Sequence, residues 1–313
     1  MRFVLVALIT SLLILSESLT AEENDPTAPY LYVLGEAQDA GRPQAGCYQT
    51  HCMKAFESVE QRRYATSLAL VLPESKKDYL FEATPDIKYQ LYELHGLTNH
   101  LQHHLAGIFL THAHIGHYVG LMNLGREVMG TSGMPVYVMP KMQQFLTDNG
   151  PWSQLVALEN IQLRGMKAQQ AVTLDEGIEV TPLRVPHRDE YSETVGYVIA
   201  GPNKKALFIP DIDKWERWSL DLLEQVEAVD YALLDATFYA QGELPGRDMN
   251  EIPHPLVTDT MERLKDSPEA TRAKVYFIHM NHTNPLLDEH SEATKTVLGN
   301  GFNIARRGMM LEL

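Results

Sequence analysis

The sequence predicts an α/β (α+β) chain, one domain in which mixed sheets are covered by helices, and three observations predict it. Apolar runs of strand length, such as residues 67–72 and 275–278, recur along the whole chain and alternate with helix-length stretches. Between residues 171 and 209 the pattern shifts to alternating segments separated by turns, which reads as antiparallel strands. Neither a repeat of fixed period nor a low-complexity linker divides the chain.

The elements follow in order. Met1-Arg2, the apolar run 3–15 and then Ser18-Leu19-Thr20-Ala21 have the basic start, short core and small-residue end of a secretory signal. The run is too short to span a bilayer comfortably, and no Cys follows it to carry a lipid. A signal peptide over 1–21 and a mature domain over 28–313 are expected, the latter periplasmic or secreted and free of the membrane after cleavage. Residues 30–34 form the first expected strand, ended by Gly35, with a Gly- and Pro-bearing loop up to Cys52. Strands are expected over 67–72 and 79–83. Thr84-Pro85-Asp86 stops the second, where Asp86 can cap the helix starting at Ile87. Residues 107–110 read as a buried strand leading into Thr111-His112-Ala113-His114-Ile115-Gly116-His117, and 117–124 as a helix start. A strand over 135–139 and a helix over 141–147 come next. The alternating stretches 171–185 (with a turn at Asp175-Glu176-Gly177), 194–200 and 206–209 follow. A helix over 221–229, a buried strand over 231–234, a helix over 255–265 and a last buried strand over 275–278 lead to two short strands about Arg307-Gly308.

With 44% hydrophobic and 21% charged residues the composition is that of an ordinary globular protein. The formal net charge of −15 repels phosphate backbones, so no nucleic-acid partner is expected. The two cysteines, Cys47 and Cys52, are close enough in sequence to form a disulfide in an oxidising compartment, or to supply half of a metal site.

Chemistry concentrates where strands end. His112, His114 and His117 crowd the turn between a strand and a helix, and converging neutral imidazoles suit a zinc-type ion. In the second half, four strand ends release His187, Asp211, Asp235 and His279, with His282 three residues beyond the last. Together these groups suffice for two ions sharing a carboxylate. His95, His100, His103, His104 and His290 lack a strand end and are expected at the surface. There is no Gly-x-Ser-x-Gly elbow and no phosphate-binding Gly loop.

This order of motifs resembles the metallo-β-lactamase superfamily: a strand followed by Asp, the triple-His loop, a lone His, a lone Asp and a final His. The resemblance covers most of the mature chain and implies an αββα sandwich with a metal site along one edge. Val33-Leu34-Gly35, Pro43-Gln44, Ala83-Thr84-Pro85-Asp86-Ile87, Gly246-Arg247-Asp248-Met249, His279-Met280-Asn281-His282-Thr283-Asn284-Pro285 and Gly308-Met309-Met310-Leu311-Glu312-Leu313 resemble one branch. That branch contains the pyrroloquinoline quinone biosynthesis B protein and phosphodiesterases of phosphonate metabolism. Carried over, His112, His114 and His187 would hold one ion, His117 and His279 a second, with Asp211 bridging and Asp86 as a buried acid behind the loop. The family usually has Asp where this chain has Gly116, which implies a weakened second site, a single ion or a different metal. Leu234-Asp235-Ala236-Thr237-Phe238 and His254 resemble the tRNA-processing members, which implies that Asp235 orients His254 as a proton donor. The phosphodiesterase relatives carry a structural zinc. Cys47, Cys52 and His282 fill three of its places, with His51 near enough for the fourth, and a Cys47–Cys52 disulfide is the competing account.

The resulting expectation is an exported metallohydrolase. It uses one or two Zn2+, with Fe or Mn as other candidates, to activate water against a small-molecule ester, phosphodiester or lactone. The alternatives are an iron-dependent protein of pyrroloquinoline quinone biosynthesis, or a non-catalytic metal-binding relative.

Overall fold

Residues 26–313 are described by a computed structural model, and the expected leader lies outside them. The chain opens with β1 (Tyr30–Gly35), then α1 (Thr50–Glu57), β2 (Ser67–Leu72), β3 (Lys77–Phe81), α2 (Ile87–Thr98) and β4 (His104–Phe109). A single helical turn, α3 (Ile115–Tyr118), precedes β5 (Met134–Val138), α4 (Pro140–Asp148), α5 (Trp152–Ala157) and β6 (Ile161–Gly165). The second half runs β7 (Val172–Thr173), β8 (Glu179–Arg184), β9 (Val195–Ala200), β10 (Lys205–Ile209), α6 (Leu222–Glu227), β11 (Tyr231–Asp235), α7 (Val257–Leu264) and α8 (Glu269–Arg272). It closes with β12 (Val275–Ile278), α9 (Glu292–Gly299), β13 (Asn303–Ile304) and β14 (Met310–Glu312).

Among the described residues these strands make two seven-stranded sheets, ordered β14-β1-β2-β3-β4-β5-β6 and β13-β12-β11-β10-β9-β8-β7. Side chains of a strand alternate between faces, and here both faces are buried. Leu31 and Val33 of β1, Leu68 and Leu70 of β2, Phe208 of β10 and Leu233 of β11 share one apolar layer between the sheets. Their sequence neighbours Leu34, Ala69 and Val71 face the opposite way, against Ile87 and Leu94 of α2 and Met142 and Leu146 of α4. On the other sheet Leu207, Ile209, Ala232 and Leu234 pack with Leu222, Val257 and Val297 from α6, α7 and α9. The result is the αββα sandwich that the resemblance implied.

Strand direction decides where the site lies. β3 is parallel to β4, and β1 runs with β3 because each is antiparallel to β2. β10, β11 and β12 are mutually parallel, and β8 runs with β10 because both are antiparallel to β9. Strands of one direction finish at one edge of their sheet, and ligand sites gather outside such carboxyl ends. The segments that follow β1, β3, β4, β8, β10, β11 and β12, together with Asp235 at the end of β11, supply the clustered histidines and carboxylates described below.

Several expectations are corrected. The helix start over 117–124 is only the turn α3 followed by a 3-10 segment, Val119–Leu124. The Gly120 N–H bonds Ala83 O at 2.8 Å, and a Cβ at Gly120 would lie 2.3 Å from Thr84 O, so the loop is drawn onto the end of β3. The cysteine loop contains a helix, α1, which buries only Cys52 and Ala55 and so carries little apolar signal. His95, His104 and His290 are exposed as expected, but the His103 side chain is enclosed, with Nδ1 2.7 Å from Asp78 Oδ1.

Candidate metal centre

The loop after β4 carries His112 and His114, and α3 carries His117. Four ligand atoms, one each from His112, His114, His187 and Asp211, lie within 4.8 Å of one another. His112 Nε2 is 2.8 Å from His114 Nδ1, which is 3.3 Å from His187 Nε2. Asp211 Oδ2 stands 3.3 Å from His112 Nε2 and 3.2 Å from His187 Nε2. A second cluster joins Asp39, His117 and His279. Asp39 Oδ1 lies 3.3 Å from His117 Nε2 and 3.4 Å from His279 Nε2. Asp211 Oδ2 is 3.7 Å from His117 Nε2, which sets it between the clusters.

These contacts are those of a ligand cage. In a tetrahedral site with bonds of about 2.0–2.1 Å, ligand atoms stand about 3.3 Å apart, close to the separations above. The nitrogens are also left free: His117 Nε2, His279 Nε2 and the Asp39 and Asp211 Oδ1 atoms are buried with no hydrogen-bond partner among the described residues. Orphaned buried polar atoms are uncommon in folded proteins, and here they converge. The donor set of imidazole and carboxylate suits zinc, and also iron or manganese.

Groups behind the ligands choose the nitrogen that faces inward. Thr111 Oγ1 donates to Glu82 and lies 2.8 Å from His112 Nδ1, leaving Nε2 for the cage. Glu82 is fully buried, and its Oε1 is 3.3 Å from His117 Nδ1. Thr237 Oγ1 donates to Asp235 Oδ1 at 2.7 Å and stands 3.0 Å from His279 Nδ1. His114 turns Nε2 outward to Glu190 at 3.1 Å. Such outer contacts fix ring orientation in metal sites. Glu82 and His279 hold left-handed backbone torsions, φ 79° and 68°, costly for residues with a Cβ and found where a site demands them.

The electrostatics follow from burial and neighbours. Burial, reinforced by His117, pushes His112 well below the ordinary imidazole value, so it is neutral with a lone pair to give. Burial also lowers His114. Burial would raise Asp211, yet His254, His187 and His112 hold its carboxyl well below the usual range. Burial opposes charge on His254 too, but the Asp235 and Asp211 carboxylates outweigh it and push the pKa up to about 9. His254 Nδ1 is 2.9 Å from Asp235 Oδ2 and 3.2 Å from Asp211 Oδ1. Asp235 is fully buried and also accepts from the Ile212 and Thr237 N–H groups, which fixes it.

The structure therefore brings His112, His114, His117, His187, Asp211, Asp235, His254 and His279 together. Two expectations are corrected. Asp86 is not behind the loop: it starts α2, and its Oδ2 accepts from the Ala65 N–H at 2.8 Å. Glu82, the first residue after β3, is the buried acid that meets Thr111 and His117. Cys47 and Cys52 form a disulfide, and zinc takes thiolates, so the expected structural zinc site is not formed in this pairing. His51 and His282 still stand beside it, with ring centres 5.5 Å apart. Sequence reasoning missed Asp39, Glu82, Thr111 and Thr237. The ends of β3, β4 and β11 were the available signal for Glu82, Thr111 and Thr237, whereas Asp39 lies further along the loop after β1.

Known proteins share this fold. The model of the Beta-lactamase superfamily domain matches residues 77–280. Coenzyme PQQ synthesis protein B of Methylobacterium sp. (strain 4-46) is 27% identical over 307 residues, covering 90% of this chain and 99% of that protein. The crystal structure of Zn(2+)-bound PqqB from Methylobacterium extorquens aligns with a TM-score of 0.74 at 22% identity, over 91% of this chain and 100% of that one. A diphosphatase from the PhnP family aligns with a TM-score of 0.63 at 21% identity, over 91% and 97%. At such identities the two structures show the shared fold.

Proposed function

Because the chain belongs to the beta-lactamase superfamily, we propose that it is an exported metal-dependent hydrolase acting on a small-molecule ester, phosphodiester or lactone. The observation that carries this reading is His254. Its Nδ1 lies 2.9 Å from Asp235 Oδ2 and 3.2 Å from Asp211 Oδ1, the carboxylate between the two ligand clusters, so two carboxylates favour the protonated ring. A buried acid beside a metal cage is what a departing alkoxide or phosphate oxygen needs.

Each residue has a part. His112, His114 and His187 would hold a first ion, His117 and His279 would hold a second, and Asp211 reaches both clusters. Ions held there would supply an activated water and polarisation of the substrate oxygen that gains charge. Asp235 accepts a hydrogen bond from His254 Nδ1, which leaves the Nε2 proton as the transferable one. Zinc is the first choice for this nitrogen-rich set, with iron or manganese next. Export is supported by the apolar leader and by the Cys47–Cys52 disulfide, which persists in oxidising compartments. The net charge of −15 favours a small substrate over nucleic acid.

A second reading rests on the match along 99% of a Coenzyme PQQ synthesis protein B. On that reading the site holds iron and serves pyrroloquinoline quinone synthesis, and a third reading is a metal-binding relative without turnover. Elemental analysis of the purified protein, combined with assays on bis(p-nitrophenyl) phosphate, p-nitrophenyl acetate and a simple lactone, separates them. Zinc with hydrolysis supports the first. Iron with oxygen consumption and no hydrolysis supports the second, and bound metal without turnover the third.

A further inference from the structure

Gly116 stands where the family resemblance leads one to expect a carboxylate ligand, and the space beside it is filled. A Cβ built on Gly116 would lie 2.4 Å from Asp39 Cα and 2.6 Å from both Asp39 Cβ and Oδ1. Gly116 has no positive φ, so it is the presence of Asp39, and not the backbone torsion, that excludes a side chain there. The carboxylate of Asp39 thus occupies the volume that a side chain at 116 would take.

We propose that Asp39 is a ligand of the second ion, delivered from the loop after β1 in place of the missing carboxylate at position 116. Its Oδ1 is buried, has no hydrogen-bond partner among the described residues, and meets two equally unpartnered nitrogens, His117 Nε2 and His279 Nε2. Both imidazoles are buried, at 1% and 0% exposure. Separations of 3.3 Å and 3.4 Å without hydrogen-bond geometry suit three atoms sharing a cation better than one another.

The loop is built to hold that position. The Gln38 N–H bonds Met280 O at 2.8 Å, and the Met280 N–H bonds Glu36 O at 2.9 Å, so the main chain on either side of Asp39 and His279 is paired. Thr66 adds its N–H and its hydroxyl to Ala37 O. Gly41, at φ 69°, closes the turn with its N–H on Gln38 O, and a Cβ there would lie 2.6 Å from Arg63 O. A carboxylate carried this way loses little freedom when it binds an ion. Gly116 and Asp39 are therefore a pair: the first is small so that the second can enter.

This rests on the reading of the site as a metal centre, and the test separates the two. Zinc is titrated into the metal-stripped, oxidised full chain, and ions per chain are counted by equilibrium dialysis with elemental analysis. Near-ultraviolet circular dichroism verifies that each variant is folded. The wild type is expected to take two ions. Asp39→Asn should keep the first and weaken the second by at least about tenfold. The exchange variant Asp39→Gly with Gly116→Asp should regain the second. Two ions bound with wild-type affinity by Asp39→Asn overturn the proposal, as does a folded exchange variant that stays at one. A wild type with a single ion, lost in His112→Ala, overturns this proposal and leaves the metal centre standing. A wild type that takes up no ion overturns both.

Discussion

Each imidazole of the centre presents two nitrogens, and the residue behind it decides which one is free. Thr237 serves His279 in this way, through an oxygen 3.0 Å from Nδ1, and also lies 3.1 Å from His254 Nδ1. Thr237→Val should therefore lower affinity for the second ion by about 10–100-fold, read by competition titration with a chelating dye, with little effect on the fold. His254 offers a pH prediction. Its charged form is favoured by Asp235 and Asp211, so in the metal-free protein its ring should titrate near pH 9, and Asp235→Asn should move it down. Histidine NMR shifts across pH 5–10 provide the check, and a midpoint near the ordinary value of about 6.5 would contradict it. His254→Asn is expected to cut hydrolysis by about 10²–10⁴-fold while metal content holds. His112, His187, Asp211 and His279 were legible because each comes just past the end of an apolar strand, and His114 and His117 because they crowd the same turn as His112. Asp39 was not, since it lies past the end of β1 in a loop whose course is set by pairing with Met280, far away in sequence. Glu82 was hidden differently: it reads as one polar residue in an apolar run, and only the fold shows that it faces His117.

The strands were legible because the sandwich buries both their faces, turning β2, β11 and β12 into almost unbroken apolar runs. Elements that bury little escaped. β6 buries only Ile161, and α1 only Cys52 and Ala55, so neither leaves a periodic pattern. The 3-10 segment after α3 was misjudged as helix because its pattern is set by contact with the end of β3. That contact gives a prediction at Gly120, whose added Cβ would meet Thr84 O at 2.3 Å and Ala83 O at 2.8 Å, both backbone atoms. Gly120→Ala should lose about 1–3 kcal/mol in urea unfolding and weaken ion binding by displacing His117. The loop bearing α1 makes a separate case. Thiol counting under denaturing, non-reducing conditions should find neither Cys47 nor Cys52 free. After reduction, the ligand atoms of Cys47, His51, Cys52 and His282, within 4.8 Å of one another, should take one zinc that Cys47→Ser abolishes.

Across the whole molecule, the first sheet delivers Asp39, Glu82, His112, His114 and His117, and the second delivers His187, Asp211, Asp235 and His279. Both ligand clusters draw on both sheets, so an ion at either one ties the two halves of the sandwich together. Free ion at a hundred times its Kd adds about 2.7 kcal/mol of stability. Chelation should therefore lower the melting temperature by several degrees, and the His112→Ala, His114→Ala double variant should show no such dependence. The order of motifs along the chain made the fold readable. What it could not show is that a first-strand loop closes the second cluster, because that contact joins the two sheets. The most direct measurement is a zinc-soaked crystal of the oxidised protein with anomalous scattering at the zinc edge. Two peaks are predicted, one among His112, His114, His187 and Asp211 and one among Asp39, His117 and His279. A map with no peak among His112, His114 and His187 would contradict the account.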